Sequence, residues 1–394
     1  MNIRFLAQSE YFNGIHLKDD IILEKEYEQG PFTSVPKVRY FIYRLEDNVR
    51  TEVLPRTDKV EAFIISECAY RSDYIYFTEY DDQYDGTYLF NIIKYNFIDD
   101  TWTKLITLKD DMSYYPYNKQ IKIFVLDDSN LIIQRAIKRR NLQDNYEGFF
   151  EFSSILFNYK ENKQTPIVDE NLLLNGIEYI IPFTNNTCIM KTGFSLLEEN
   201  RYALLSKEEA SVESLIFVNI SQFISDLLLQ QPSMVTQTID HAFYDDTICS
   251  ARIVDNYLIY SKVNFENKEE KVVFQNLSTR ESMECINQNV ASTNRLAKTY
   301  IINGQPHIRI DKEDKIEFFN LEEKEVSISF KSDTDIVYVN NNLFVSVSKK
   351  NVLGKTKYYL NIHKFPSTDV VMTEKGEFIG AVASDDDTSY IFLK

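Results

Sequence analysis

Seven copies of one short pattern run along this chain, and they constrain its fold more than any single residue does. The copies are Tyr43–Arg50, Tyr95–Trp102, Phe157–Gln164, Val218–Ser225, Gln275–Ser282, Phe319–Val326 and His363–Val370. Each ends a β-rich run, places an apolar residue two positions after its anchor, and then enters a polar turn. Self-similarity of this kind marks a chain built of stacked units, none of which buries its apolar faces alone. Successive anchors lie 52, 62, 61, 57, 44 and 44 residues apart. Four-stranded repeats commonly take about 40–50 residues, so the longer intervals carry insertions.

The second unit shows what a repeat contains. Ala62–Tyr70 predicts a first strand, Asp73–Tyr80 a second, Thr87–Phe97 a third and Thr101–Leu108 a fourth. Asp-rich turns between β-branched and aromatic runs are the expected hairpin signal. The third, fifth and seventh units divide in the same order. The fourth departs from it by inserting Leu196–Val212 between strands. Beyond Val218 it continues into Asn219–Gln230, where Ile220, Phe223, Ile224, Leu227 and Leu228 recur at helical spacing. This predicts a short helix packed on the unit and linking its third and fourth strands, with Pro232 ending it.

Between the last anchor and the first, through the two chain ends, the interval is 74 residues. Read as one unit with excess, it gives a count of seven, with Ser389–Leu393 pairing near the amino-terminal strands. On this evidence the chain resembles the β-propeller superfamily. One copy, Tyr95–Trp102, is similar to a kelch repeat, with its Tyr and Trp flanking a polar turn. The resemblance implies an all-β, seven-bladed β-propeller of four-stranded antiparallel blades, with a short helix near residues 219–230. It implies a single domain over residues 1–394, its termini meeting in the closing blade.

Composition limits the function classes. Only 10 of 394 residues are glycine, and neither GxGxxG nor GxxxxGK[ST] occurs, which argues against a phosphate-cradling loop. The formal charge of −17 disfavours nucleic acid and anionic membranes; it reads chiefly as a solubility feature, with a face that attracts cations or a basic partner as the alternative. Cys68, Cys188, Cys249 and Cys285 are widely spaced and read as buried, reduced strand residues. No apolar run has signal-peptide or membrane-spanning length, so a cytoplasmic monomer is expected.

In a propeller, loops from the outer strand of one blade to the inner strand of the next converge at the channel mouth, where ligands bind. Two such loops are rich in acids and aromatics. Lys109–Lys119 carries Asp110, Asp111, Tyr114, Tyr115 and Tyr117; Thr238–Thr247 carries Asp240, His241, Tyr244, Asp245 and Asp246. Aromatic rings offer flat apolar surface, and neighbouring carboxylates accept hydrogen bonds from hydroxyls or amines. The candidate ligand-binding residues are therefore Tyr114, Tyr115, Tyr117, Asp240, Tyr244 and Asp246. His241, Asp245 and Asp111 are the candidate acid–base groups.

Other motifs are less productive. Asp81–Gly86 resembles the start of a calcium loop, but Gln83 and Ile92 fall where acids belong. His16, His241, His307 and His363 lie in different units without paired zinc spacing. No GxSxG is present. No metal or cofactor is expected. These readings favour a non-catalytic scaffold that binds a protein or a small polar ligand on a loop face or at the channel mouth. The alternative is an enzyme acting on a glycan or polar metabolite there with Asp and His acid–base residues.

Overall fold

The computed structural model describes residues 2–7, 12–28, 37–53, 64–65, 72–82, 88–110, 121–138, 150–167, 176–193, 213–231, 237–242, 246–264, 266–267, 269–287, 298–352 and 354–394. The fold is an all-β propeller of eight sheets. Seven are four-stranded meanders in chain order, over residues 14–53, 64–110, 121–167, 177–242, 246–287, 299–331 and 335–375. The eighth has three strands: Phe378–Ala383, Ser389–Leu393 and Ile3–Ala7.

The expected count of seven is thus corrected to eight. Each repeat copy is the third-to-fourth-strand hairpin of one four-stranded sheet, and the eighth sheet has no such hairpin. Its third strand comes from the other end of the chain, with Ile3–Ala7 running parallel to Ser389–Leu393. The 74-residue interval holds both this sheet and the first three strands of sheet one, because the eighth sheet's strands are only 5 or 6 residues long.

Each second strand carries a run buried on both faces. Ile22 and Leu23, Leu131 to Ile133, Leu258 and Ile259, and Phe344 and Val345 are all fully buried. Successive strand residues point to opposite sides, so both faces of these strands are covered. Fourth strands are wet by comparison, with Val49, Val326 and Val370 to Met372 exposed.

The repeat's meaning lies in its turn. In five copies an Asn follows the anchor. The side-chain oxygens of Asn96, Asn158, Asn276 and Asn320 accept amide hydrogens of the turn they open. Asn219 does the same for Gln222, and there the turn continues as the helix Ile220–Leu229. Five positions after the anchor, Asn48, Asp100, Asn162, Arg280 and Lys324 take positive φ. The anchor hydroxyls of Tyr43 and Tyr95 bond to two of them, Asn48 and Asp100. Two positions after the anchor, the amides of Leu45, Phe97, Tyr159, Ile220, Leu277 and Phe365 donate to the carbonyls of Asp20, Asp73, Ser129, Asn186, Asn256 and Asn342. Those carbonyls belong to the turns ahead of the second strands, so in these six sheets the two turns are tied together at one end.

Two compact units make up the chain: Met1–Leu54 with Ile253–Ser261 and Lys271–Lys394, and Pro55–Arg252 with Lys262–Glu270. Within the first, Phe12 stacks on Phe392 at 4.1 Å. A Cβ at Gly380 would meet the Phe12 ring at 2.5 Å, so only glycine permits this approach. Ile391 is fully buried with Val345 and Leu360 of the seventh sheet. Within the second unit, the helix sets Ile220, Phe223, Ile224 and Leu227 against Met190 and Val218 of its own sheet and Ile132 and Leu156 of the third. Leu228, expected on that stripe, is 47% exposed, because it stands at the edge of the helical arc the other four define. Cys188 is buried as expected, whereas Cys249 is exposed and Cys285 half-buried.

Polar side chains join neighbouring sheets. Gln134 donates to the Ile177 carbonyl at 2.8 Å and accepts from the Ile177 amide at 2.8 Å, as a strand neighbour would. Glu213 accepts from the Ile248 amide, and Arg309 donates to the Ile336 carbonyl.

Replacing Gln134 with Leu strands both backbone groups of Ile177 in a buried site. A loss of about 2 kcal/mol or more is expected in urea unfolding. His307 is fully buried; Nδ1–H donates to the Gln305 carbonyl and Nε2 accepts from Ser327. Burial holds its pKa below the ordinary 6.5, against the pull of the Gln305 carbonyl and of Glu323 and Glu322. The unfolded chain therefore takes up the proton first, and this contribution to stability is lost as pH falls below about 6.5. His307→Gln should show a shallower fall in unfolding free energy between pH 7.5 and 5.5 than the parent protein.

Candidate functional site

In the second unit, the turn ends of sheets two, three and four surround a cavity of about 380 Å³. Its apolar wall is Val125, Leu126, Ile180, Pro182, Cys188 and Ile220; its polar rim is Ser72, Asp73, Asp127, Asp128, Thr184 and Asn185, with Tyr74 between them. The rim follows from the turn chemistry, since the chain reverses there on Asp and Asn. Asp127 is committed to that reversal, accepting the amides of Ser129 and Asn130. The Asp128 carboxylate has no hydrogen bond or ion pair among the described residues. Burial pushes the Cys188 thiol up to about 12, so it is an inert part of the wall.

Beside the cavity, Lys94 points its ammonium at the Tyr74 ring, 3.6 Å from the centroid, and at the Tyr159 ring, 4.7 Å away. It donates to the Tyr159 hydroxyl at 3.0 Å, which in turn donates to the Asp128 carbonyl. Burial lowers the Lys94 pKa, while the charge of Asp128 raises it. Burial raises that of Tyr159, and Asp128 adds to the rise.

Among the residues singled out from sequence, the structure gathers Asp240, His241 and Asp246 at the opposite end of the fourth sheet's strands. Lys262 reaches Asp240 at 3.3 Å and Asp246 at 3.5 Å. His241 Nδ1 lies 3.0 Å from the Ser214 hydroxyl, and Asp246 accepts from Asn264. Next to them, fully buried Lys191 pairs with Glu213 at 3.2 Å and with Glu178, and Glu213 also accepts from Thr247. Asp111, Tyr114, Tyr115, Tyr117, Tyr244 and Asp245 lie outside the described residues. Among the described residues, no group of three or more His, Cys, Asp or Glu is placed to hold a metal.

Sequence reasoning passed over the turn-end residues. A signal existed: an Asp or Asn pair precedes the apolar second strand in most units, as in Asp19-Asp20, Asp127-Asp128, Asn185-Asn186, Asp255-Asn256 and Asn341-Asn342.

No family model and no curated protein matches the chain. Among solved structures, it is similar to an oligogalacturonate lyase in complex with manganese, at 11% identity over 90% of this chain and 98% of that one, TM-score 0.41. It is also similar to an uncharacterized protein from Listeria monocytogenes EGD-e, at 10% identity over 93% and 98%, TM-score 0.39. A third is the β-propeller domain of the trilobed protease from Pyrococcus furiosus, at 8% identity over 93% and 99%, TM-score 0.40. Likeness at this level assigns no residue a role.

Asp128→Asn removes a charge that raises both neighbouring groups. The pKa values of Lys94 and Tyr159 should both fall, as read by NMR titration of the labelled side chains.

Proposed function

We propose that this protein is a non-catalytic binding module. Its ligand is a basic segment of a polypeptide that places an amine-bearing, partly apolar side chain in the turn-end cavity of sheets two to four. The observation that carries this reading is the cavity's construction, an apolar wall beneath a carboxylate-bearing rim. About 300–1,000 Å³ is the usual range for a ligand pocket, and this cavity falls within it. The apolar wall takes a methylene stem, while Asp128 accepts from an ammonium or guanidinium head. The chain's net charge of −17 raises the encounter rate of cationic partners.

Fluorescence anisotropy with lysine- and arginine-containing peptides tests the reading, using peptides with acetylated lysines or citrulline for arginine as controls. The expected result is binding by the basic peptides, a loss of about tenfold with Asp128→Asn, and weakening as salt is raised. Equal binding of neutral and basic peptides, or an unchanged affinity in Asp128→Asn, would overturn it. Turnover of a glycan or polar metabolite that disappears in His241→Ala would favour catalysis at the opposite end of the fourth sheet instead.

A further inference from the structure

We propose that the outer edge of the eighth sheet is a docking site for one extended strand of a partner polypeptide, whose side chains alternate apolar and polar. The site lies in the first unit and is independent of the Asp128 cavity. Seven sheets have four strands, whereas the eighth has three and ends outward in Ile3–Ala7. The first strands of sheets seven, eight and one adjoin one another, so all three sheets count outward from one line. Sheets seven and one both pack on sheet eight. Ile3–Ala7 therefore stands in third place between their fourth strands, Val370–Lys375 and Val49–Val53. It is recessed from them by one strand spacing, about 4.8 Å.

The backbone of this edge faces outward. The Ser389 amide donates to the Asn2 carbonyl at 3.0 Å. In a parallel pair alternate residues of a strand face the partner, so Arg4 and Leu6 follow Asn2 toward Ser389–Leu393. The N–H and C=O groups of Ile3, Phe5 and Ala7 point the other way, and among the described residues no strand pairs with them. Outer strands elsewhere carry guards against such pairing, as with Pro166 in Lys163–Ile167. Here the one charged residue is Arg4, which Glu46 holds at 3.1 Å.

The neighbouring sheets define what the occupant must cover. In sheet six, Ile328 stands opposite Phe318 and is buried with Ile336 and Phe344 of sheet seven. In sheet two, Ile106 stands opposite Ile92 and is buried against sheet three. Met372 holds the same place in sheet seven, opposite Ile362 and beside the same register shift. It is nonetheless 44% exposed, and Val371 is 56% exposed. Ile362 clusters with Ile391, Ile3 and Phe5, so this face of sheet seven looks toward sheet eight. A strand added to Ile3–Ala7 gives Met372 the cover that Ile328 and Ile106 have.

The opposite wall is polar. Arg39 pairs with Glu52 at 2.6 Å, and Arg50 pairs with Glu24 at 2.7 Å and lies over the Phe41 ring. These groups share a face with Ile22 and Tyr43, which pack on Tyr390 and Phe392 of sheet eight. Occupant side chains turned toward Met372 are therefore apolar, and those turned toward sheet one are polar. Backbone pairing along the edge supplies affinity, and the alternate side chains supply specificity. A second copy presenting its own sheet edge would meet the flanking fourth strands first, so the recess admits a single strand.

Fluorescence anisotropy of the full chain with labelled eight-residue peptides tests the site. Each peptide alternates threonine with isoleucine, valine, leucine or phenylalanine. At least one should bind with a Kd of about 100 μM or tighter. N-methylation of every second amide should weaken binding about tenfold or more in one phase and little in the other, because only one edge of the peptide is paired. By NMR, the amides of Ile3, Phe5 and Ala7 should exchange rapidly in the free protein and at least about tenfold more slowly with peptide bound. Ala7→Pro removes an outward N–H and leaves the inner pairing intact, while Met372→Asp changes an exposed side chain. Both should keep the urea midpoint and weaken binding about tenfold or more. Absence of binding by all four peptides, equal effects of the two methylation phases, or unchanged exchange at Ile3, Phe5 and Ala7 would overturn the proposal. So would a dimer that Ala7→Pro abolishes, since a second copy would then hold the edge. Asp128→Asn should leave strand binding unchanged.

Discussion

A sheet of this kind exposes the backbone of its first strand at the point where the chain enters it, and the structure depends on how those groups are satisfied. Gln134 answers the problem directly. Its amide imitates a peptide unit, pairing with both the amide and the carbonyl of Ile177 at the head of the next sheet. Glu213 does half of this for Ile248, and Arg309 half for Ile336. Apolar packing between sheets is strong but non-directional, so it does not by itself fix one sheet's height against the next. Hydrogen bonds from side chain to entering strand supply that register.

The same requirement explains why charge is buried where it is. Glu213 holds the Ile248 amide from a fully buried position, and an isolated carboxylate there would be prohibitive. Lys191 and Thr247 complete its partners, and Glu178 completes those of Lys191. Removing Lys191 leaves the buried Glu213 carboxylate without its cation, which costs more than the pair contributes. His241 with Ser214, and Lys262 with Asp240 and Asp246, continue this network toward the surface.

Architecture was legible in the sequence because the seven hairpins repeat a local solution: an anchor, a polar turn that is Asn-capped in five copies, and an apolar residue tied in six of them to the neighbouring turn. Tyr95, Asn96 and Phe97 show all three parts, and Asn219 shows how one part survives when the turn becomes a helix. The pairing of Ser389–Leu393 with the amino-terminal strands was expected from sequence, but that it forms a separate eighth sheet was not legible, because that sheet breaks the local rule. Its three strands are joined by pairing between Ile3–Ala7 and Ser389–Leu393, from opposite ends of the chain, and no window of sequence contains both. The cavities were missed for a related reason. Asp128 and Asp387 read as ordinary turn residues, and only packing shows that one stands over an apolar wall and the other on a smaller cavity between the turns of sheets seven and eight.

What separates a structural carboxylate from an available one here is its partners, not its burial alone. Asp240 and Asp246 lie in a region rich in acids, and Lys262 pairs with both of them. Asp127 is spent on the amides of its own turn. Asp128, one residue along, is left facing outward with its field acting on Lys94 and Tyr159. Asp387 stands in the same relation to Asp386, whose carboxylate closes the turn while its neighbour's is left to act on Asp255 and Tyr338. A tight turn needs one acidic or amide side chain for its own hydrogen bonds. A second beside it is surplus to the fold, and in each unit of this protein that surplus group lies on the rim of a cavity.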